Sequence, residues 1–198
     1  TFVGIATPAI AQAKPTVVKW AHVYETSEPY HTEALWAAEE IKKRTNGKYE
    51  IQVFPASQLG NEPQINEGLG LGTVDIIYTG AAFVGGVHRP LSISSAPYIC
   101  RDFDHWKAYR GSALFRDLAD GYEKKTGHRI VSLTYYGERH MTSNKELKGP
   151  EDMKGMKLRV PQGKWRVKMF QAYGANPSPM ALSEVFVALQ TGVMDGQE

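Results

Sequence analysis

From Lys14 onward the apolar positions alternate between short β-type runs and longer helical stripes. Thr16 to Val23 holds Val17, Val18, Trp20 and Ala21 in a mainly apolar run, which predicts a strand in a sheet covered on both faces. A helix is expected next. Ser27 or Glu28 can cap it, Pro29 suits its first turn, and Ala34, Ala37, Ala38 and Ile41 form a stripe that Gly47 ends. Tyr49 to Phe54 alternates as a second strand, Glu62 to Leu69 is a short helix opened by Pro63, and Val74 to Tyr78 is a third strand. This βαβαβ order predicts the α/β class.

Val84 to Cys100 is rich in Gly, Pro and Ser and is expected as a crossing loop. Asp102 or Asp104 then caps a helix carrying Trp106, Tyr109, Leu114, Phe115 and Leu118, with a break at Gly111 and Ser112 and an end at Thr126-Gly127. Arg129 to Tyr136 reads as a strong strand, followed by a polar stretch to Met141. A linker through Gly149-Pro150 and Asp152 leads to a strand from Met156 to Val160 that Pro161 ends. A helix around Lys164 to Tyr173, a turn at Asn176-Pro177-Ser178-Pro179 and a helix capped by Ser183 and running to about Gln190 complete the pattern. The chain stops at Asp195-Gly196-Gln197-Glu198 with no element to close a second domain. A lobe starting near Gly137 has only about 60 residues, near the lower limit for an independent core, so the chain is expected to be truncated at its C-terminus.

Composition narrows the classes. The near balance of basic and acidic residues, net charge +2, argues against the one-sided basic field of a nucleic-acid binder. The opening TFVGIATPAIAQA is uncharged, apolar and small, and it ends in Ala11-Gln12-Ala13 before Lys14. That pattern is expected of a signal-peptide remnant cleaved after Ala13, which places the mature protein in the periplasm. No later segment approaches the ~18 consecutive apolar residues of a membrane span. The single cysteine, Cys100, excludes an internal disulfide and a multi-cysteine metal site.

Little in the chain suggests catalysis. The glycines of Gly68-Leu69-Gly70-Leu71-Gly72 come after a helix and before a strand, the reverse of a phosphate-binding loop, and read as a helix stop. Asp102, Asp104 and His105 read as capping residues rather than metal ligands. Neither a G-x-S-x-G elbow nor an H-E-x-x-H helix occurs. Two arginines stand out. Arg159 lies near the carboxyl end of the apolar strand Lys157-Leu158-Arg159-Val160, where open α/β sheets bind ligands, and Arg139 lies just past the preceding strand. A guanidinium desolvated there requires an anion, and its planar fork matches a carboxylate. By position alone, that anion could equally be a protein carboxylate such as Glu138 or Asp152.

With these blocks in view, the sequence resembles the DctP-type solute-binding proteins of TRAP transporters. The resemblance spans Val17 to Glu198 and is carried by four blocks in order: Phe54-Pro55-Ala56-Ser57-Gln58-Leu59-Gly60; Thr142-Ser143-Asn144 after Arg139; Asp152-Met153-Lys154-Gly155-Met156-Lys157-Leu158-Arg159-Val160-Pro161; and Pro179 to Phe186 continuing through Ala188-Leu189-Gln190-Thr191-Gly192 to Asp195-Gly196-Gln197-Glu198. It implies a two-lobed, class II-like periplasmic binding protein, with lobe I over residues 14–136 and the first part of lobe II over 137–198. It also implies that Arg159 holds a ligand carboxylate through a paired contact, with Arg139 second. An asparagine that the family uses directly after its D-G-Q-E run falls beyond Glu198. Gln162 falls at a polar contact position and Leu182 where sialic-acid binders have phenylalanine. Gly80 replaces the glutamate of those members, and both departures weaken a sialic-acid reading and leave sugar acids, dicarboxylates and other small organic acids open. His22, Glu25, Glu62 and Thr79 are expected to line the other lobe. The expected partners are a small organic acid and membrane permease subunits, with no nucleic acid, metal or cofactor, and a monomeric chain. A same-fold protein serving a sensor or another importer, or an α/β enzyme with its catalytic residues elsewhere, are the alternatives.

Overall fold

The computed structural model describes residues 14–198, so the expected leader and its cleavage point at Ala13 lie outside the described residues. β1 (Thr16–Ala21) runs between β2 (Tyr49–Phe54) and β3 (Ile76–Ile77), parallel to both. Parallel neighbours require crossovers, and these are α1 (Pro29–Arg44) and α2 (Glu62–Leu71). α1 turns Ala34 and Ala38 inward. At the start of α2 the Asn61 side chain accepts from Gln64 N–H while the Gln64 side chain accepts from Asn61 N–H, a reciprocal cap. The glycine run is a helix end, as expected, but a later one: the helix continues to Leu71 and Gly72 closes it at φ 73°.

β1 is shorter than the sequence suggests and is not covered along its whole length. Val17 is exposed, and burial begins only at Trp20, where β3 comes alongside. The third strand shrinks to two residues, although Asp75 N–H to Lys19 O and Tyr78 N–H to Ala21 O extend its bonding at either side.

The stretch from Val84 to Cys100 is largely helical rather than a loop. α3 (Ala81–Val87) is followed by a 3₁₀ segment, Arg89–Ser95. Gly85 permits this because a Cβ there would lie 2.7 Å from Ser92 Cβ, so the two turns pack backbone against backbone. Val84 and Leu91 then bury against Tyr122 of α5 (Ala113–Thr126). The break before α5 falls where expected: α4 (Phe103–Arg110) is capped by Asp102, and Ser112 caps α5 by accepting from Phe115 N–H at 3.1 Å. Asp102 and His105 are therefore cap partners.

The expected strand from Arg129 to Tyr136 is irregular. Its residues have β propensity, but no described strand runs beside it to complete a ladder, and Val131 is 85% exposed.

The second sheet has the order β4-β7-β5-β6, with β4 (Thr142–Ser143), β5 (Lys157–Val160), β6 (Asn176–Pro179) and β7 (Gly196–Gln197). β5 is central and parallel to both neighbours, with α6 (Lys164–Ala172) and α7 (Leu182–Gln190) as crossovers. β6 takes the place of the expected turn. It is an edge strand, and its two prolines alternate with Asn176 and Met180, whose N–H groups donate to Met156 O and Val160 O. Pro177 and Pro179 thus fall where no donor is needed. The α7 cap is Ala181 rather than Ser183, because the Glu184 carboxylate accepts from Ala181 N–H at 3.2 Å.

Met156, Leu158, Val160, Phe170 and Ala175 form the core of this second sheet, while Ala21, Val23, Ile65 and Val74 form that of the first. Leu182 at the start of α7 packs against the first sheet's cluster, and the hydroxyls of Tyr98 and Tyr173 meet at 2.8 Å. The carboxyl ends of β1 and β5 are thereby brought to one region.

Leu158 is fully buried at the centre of β5, so Leu158→Ala should destabilise the chain by about 2–5 kcal/mol in denaturant unfolding. A loss below about 1 kcal/mol would mean that this sheet does not carry a packed core.

Candidate ligand-binding site

Arg159 is expected at the carboxyl end of its strand and is found there, only 4% exposed, between the ends of β6 and β7. Its Nε donates to Met180 O at 3.1 Å and its Nη1 to Glu198 O at 2.9 Å and Gln197 Oε1 at 3.4 Å. These are two main-chain oxygens and one amide oxygen. Among the described residues Arg159 forms no ion pair with a side-chain carboxylate, and its Nη2 makes no hydrogen bond. Burial holds its pKa below the usual arginine value. The Glu62 charge opposes this most, Glu198 next, while Arg139 adds to the lowering.

Arg139 behaves differently. Its guanidinium forks onto the Glu198 carboxylate, with Nη2 at 3.0 Å from Oε2 and Nε on Oε1. The pairing with a protein carboxylate that position alone allowed thus holds for Arg139, with Glu198 in place of Glu138 or Asp152. Asp152 instead accepts from the Lys148 and Gly149 N–H groups, which hold its carboxyl below the usual range. A third guanidinium, that of Arg166 on α6, lies 3.3 Å from the same buried Glu198. Arg166 was not foreseen. Its signal was available: a cation in the first turn of a helix opposes the helix dipole and needs a compensating anion. Burial lowers its pKa as well, with Glu198 opposing.

Facing these arginines is an aromatic wall from the first sheet's side. Tyr24 stacks on Tyr30 at 4.6 Å and Tyr30 on Tyr136 at 5.3 Å, while Tyr78 meets Tyr30 edge-on at 5.8 Å. The hydroxyls of Tyr24, Tyr30, Tyr78 and Tyr136 make no hydrogen bond among the described residues. Burial pushes the Tyr136 phenol up and Glu28 pushes it further, while Arg139 opposes the rise, Glu62 adds to it and Arg159 opposes it. The tyrosines were missed because a tyrosine near a strand end reads as ordinary sheet packing.

The remaining expected residues divide. Glu62 opens α2, and its carboxylate forms no ion pair or hydrogen bond among the described residues. Thr79 accepts from Asn66 Nδ2 at 2.7 Å. Leu182 packs against Ala21, Val23, Ile65 and Val74. Glu25 and Gln162 are exposed, and neither side chain forms a hydrogen bond among the described residues. No described group of His, Cys, Asp and Glu is arranged to hold a metal ion.

His22 is buried beneath the wall, its Nε2 3.3 Å from His31 Nδ1 and its own Nδ1 unpartnered among the described residues. Its pKa is held down to about 4, first by burial and then by His31; the Tyr24 main chain favours the proton slightly without forming a hydrogen bond to Nδ1. The unfolded chain therefore binds this proton more tightly than the folded one. The resulting stability is fully present above the ordinary histidine value near pH 6.5 and is lost as the pH falls towards 4. An NMR titration should give His22 a midpoint near 4, and His22→Asn should flatten the stability profile between those limits. A midpoint near 6.5 would contradict the buried, neutral imidazole.

A model of the DctP family, described as bacterial extracellular solute-binding protein, family 7, matches residues 20–198. A solute-binding protein of Roseobacter denitrificans is 32% identical over 198 residues, covering 100% of this chain and 61% of the relative. The crystal structure of a TRAP periplasmic solute-binding protein from that organism, with bound L-galactonate, superposes with a TM-score of 0.86 at 32% identity over 91% of this chain and 60% of that one. The corresponding protein of Sulfurospirillum deleyianum, with bound succinate, gives a TM-score of 0.85 at 33% identity over 94% of this chain and 60% of that one. The chain spans about 61% of the length of the Roseobacter relative, and its two sheets with their helices have the two-lobed α/β fold of these structures. It belongs to the DctP family of bacterial extracellular solute-binding proteins.

Proposed function

We propose that the protein is the solute-binding subunit of a TRAP transporter, which captures a small organic carboxylate between two lobes and delivers it to membrane permease subunits. The observation that carries this reading is Arg159, a buried guanidinium with hydrogen bonds only to main-chain and amide oxygens and with one nitrogen still unpartnered. Leaving such a charge without an anion costs several kcal/mol, and a bound carboxylate supplies the missing partner. Arg139 and Arg166, which share the single Glu198 carboxylate, add to the positive potential beside it.

Residues 14–136 form lobe I in this reading, and 137–198 belong to lobe II. The ligand's carboxylate sits on the lobe II arginines and the rest of the molecule meets lobe I, so the ligand favours the closed arrangement by bridging the two. The protein performs no chemistry on the acid. It works as an exported, periplasmic monomer, in keeping with the periplasmic relatives and the apolar leader pattern ending at Ala13.

In the gene product that contains this chain, Arg159→Lys should keep the fold but lose most affinity for the acid, because an ammonium cannot make two parallel hydrogen bonds to a carboxylate. Calorimetry should give a loss at the lower end of ~2–5 kcal/mol, a range of about 30- to 5,000-fold, with Arg159→Ala worse and Arg139→Ala intermediate. A folded Arg159→Ala variant that binds within about threefold of the unmodified protein would make Arg159 a purely structural residue.

A further inference from the structure

Glu62 lies one helical turn before Ile65, whose apolar cluster takes in Tyr24 and Leu182, and Leu182 stands two residues after Met180, whose main-chain oxygen accepts from Arg159 Nε. Glu62 exerts the largest charge effect on Arg159, larger than that of Glu198, yet the two do not form an ion pair. Nor does Glu62 pair elsewhere: its main-chain oxygen accepts from Asn66 Nδ2, while its carboxylate has no partner among the described residues. Its charge also acts on the phenols of Tyr24 and Tyr136, so all three groups share one neighbourhood. This neighbourhood therefore holds a cation without a side-chain anion, Arg159, and an anion without a cation, Glu62, beside free phenol hydroxyls.

From this we infer that the site selects a hydroxylated monocarboxylate over a dicarboxylate, with Glu62 as the residue that determines the choice. The inference rests on the carboxylate reading of Arg159. A ligand whose one carboxylate reaches Arg159 turns its other end to Glu62 and the tyrosines. Hydroxyl groups fit there, because each can donate to the Glu62 carboxylate and accept from a phenol. A second carboxylate does not. It would be set against a like charge in a partly desolvated site and could offer Glu62 no proton. Discrimination then comes from repulsion of the wrong ligand as much as from contacts to the right one. The aromatic wall is not an open cage for a cation: Tyr24, Tyr30 and Tyr136 stack on one another at 4.6 and 5.3 Å, which leaves no space between the rings for an ammonium group.

The test is calorimetry on the gene product containing this chain, with one set of C4 to C6 aldonates and uronates, including L-galactonate, and one set of C4 dicarboxylates, including succinate. The unmodified protein should bind its best hydroxylated monocarboxylate at least tenfold more tightly than its best dicarboxylate, well within what one like-charge contact at an effective dielectric near ~20 supplies. Glu62→Gln removes the charge and retains the shape, and should shift the ratio towards dicarboxylates by about tenfold or more. Glu62→Asp keeps the charge and should keep the preference. A dicarboxylate or a zwitterion bound as tightly as the best monocarboxylate by the unmodified protein would overturn the inference, and so would an unchanged ratio in a folded Glu62→Gln variant. Binding of both sets that survives Arg159→Ala would strike at the underlying carboxylate reading instead. Binding of neither set would remove both.

Discussion

A guanidinium taken out of water must be compensated, and at Arg159 the chain supplies only part of the compensation. Lying in β5 between two parallel neighbours, the residue has its Nε and Nη1 satisfied by the ends of β6 and β7, yet no side-chain carboxylate pairs with it. The strands flanking β5 thus orient the fork while leaving its charge unmatched. Arg139 and Arg166 make the contrast plain, since both pair with the buried Glu198 side-chain carboxylate, whereas Arg159 reaches only the main-chain oxygen of that residue. A protein that needed these arginines only for stability would more simply carry apolar residues there.

The rest of the fold serves this arrangement. The first sheet ends its central strand just before His22 and Tyr24, so its carboxyl end presents an aromatic wall rather than charge. The neutral His22 beneath that wall adds no positive charge to the side facing the arginines. Leu182 reaches from α7 into the first sheet's apolar cluster, and the Tyr98 to Tyr173 hydrogen bond spans the same division. The polar site is thereby flanked by contacts that hold the two sheets near one another.

Much of this was legible in the sequence where local patterns were strong. The βαβαβ order, a helix stop within the glycine run, the break at Gly111, and Arg159 within an apolar strand followed from periodicity, capping and the cost of burying a charge. What was not legible depended on tertiary pairing. Arg129 to Tyr136 has strand composition but no described neighbour, whereas Asn176 to Pro179 has turn composition yet pairs as an edge strand because its prolines fall on positions that need no donor. The helical stretch after Gly80 depends on Gly85 meeting Ser92 closely, a contact that composition cannot reveal. At the site, Arg159 was found because its residue type was incongruous in its strand. Glu198, Arg166 and the stacked tyrosines escaped because each looks ordinary until its partners from distant segments are in place.

The central claim is that Arg159 lacks an anion which the ligand provides. Calorimetry of the gene product with a hydroxylated acid and with its primary amide, identical except for the charge, tests it most directly. The account predicts tight binding of the acid and a loss of about a hundredfold or more for the amide, as expected for removing a buried, charge-assisted pair. Equal affinity for the two compounds would contradict it.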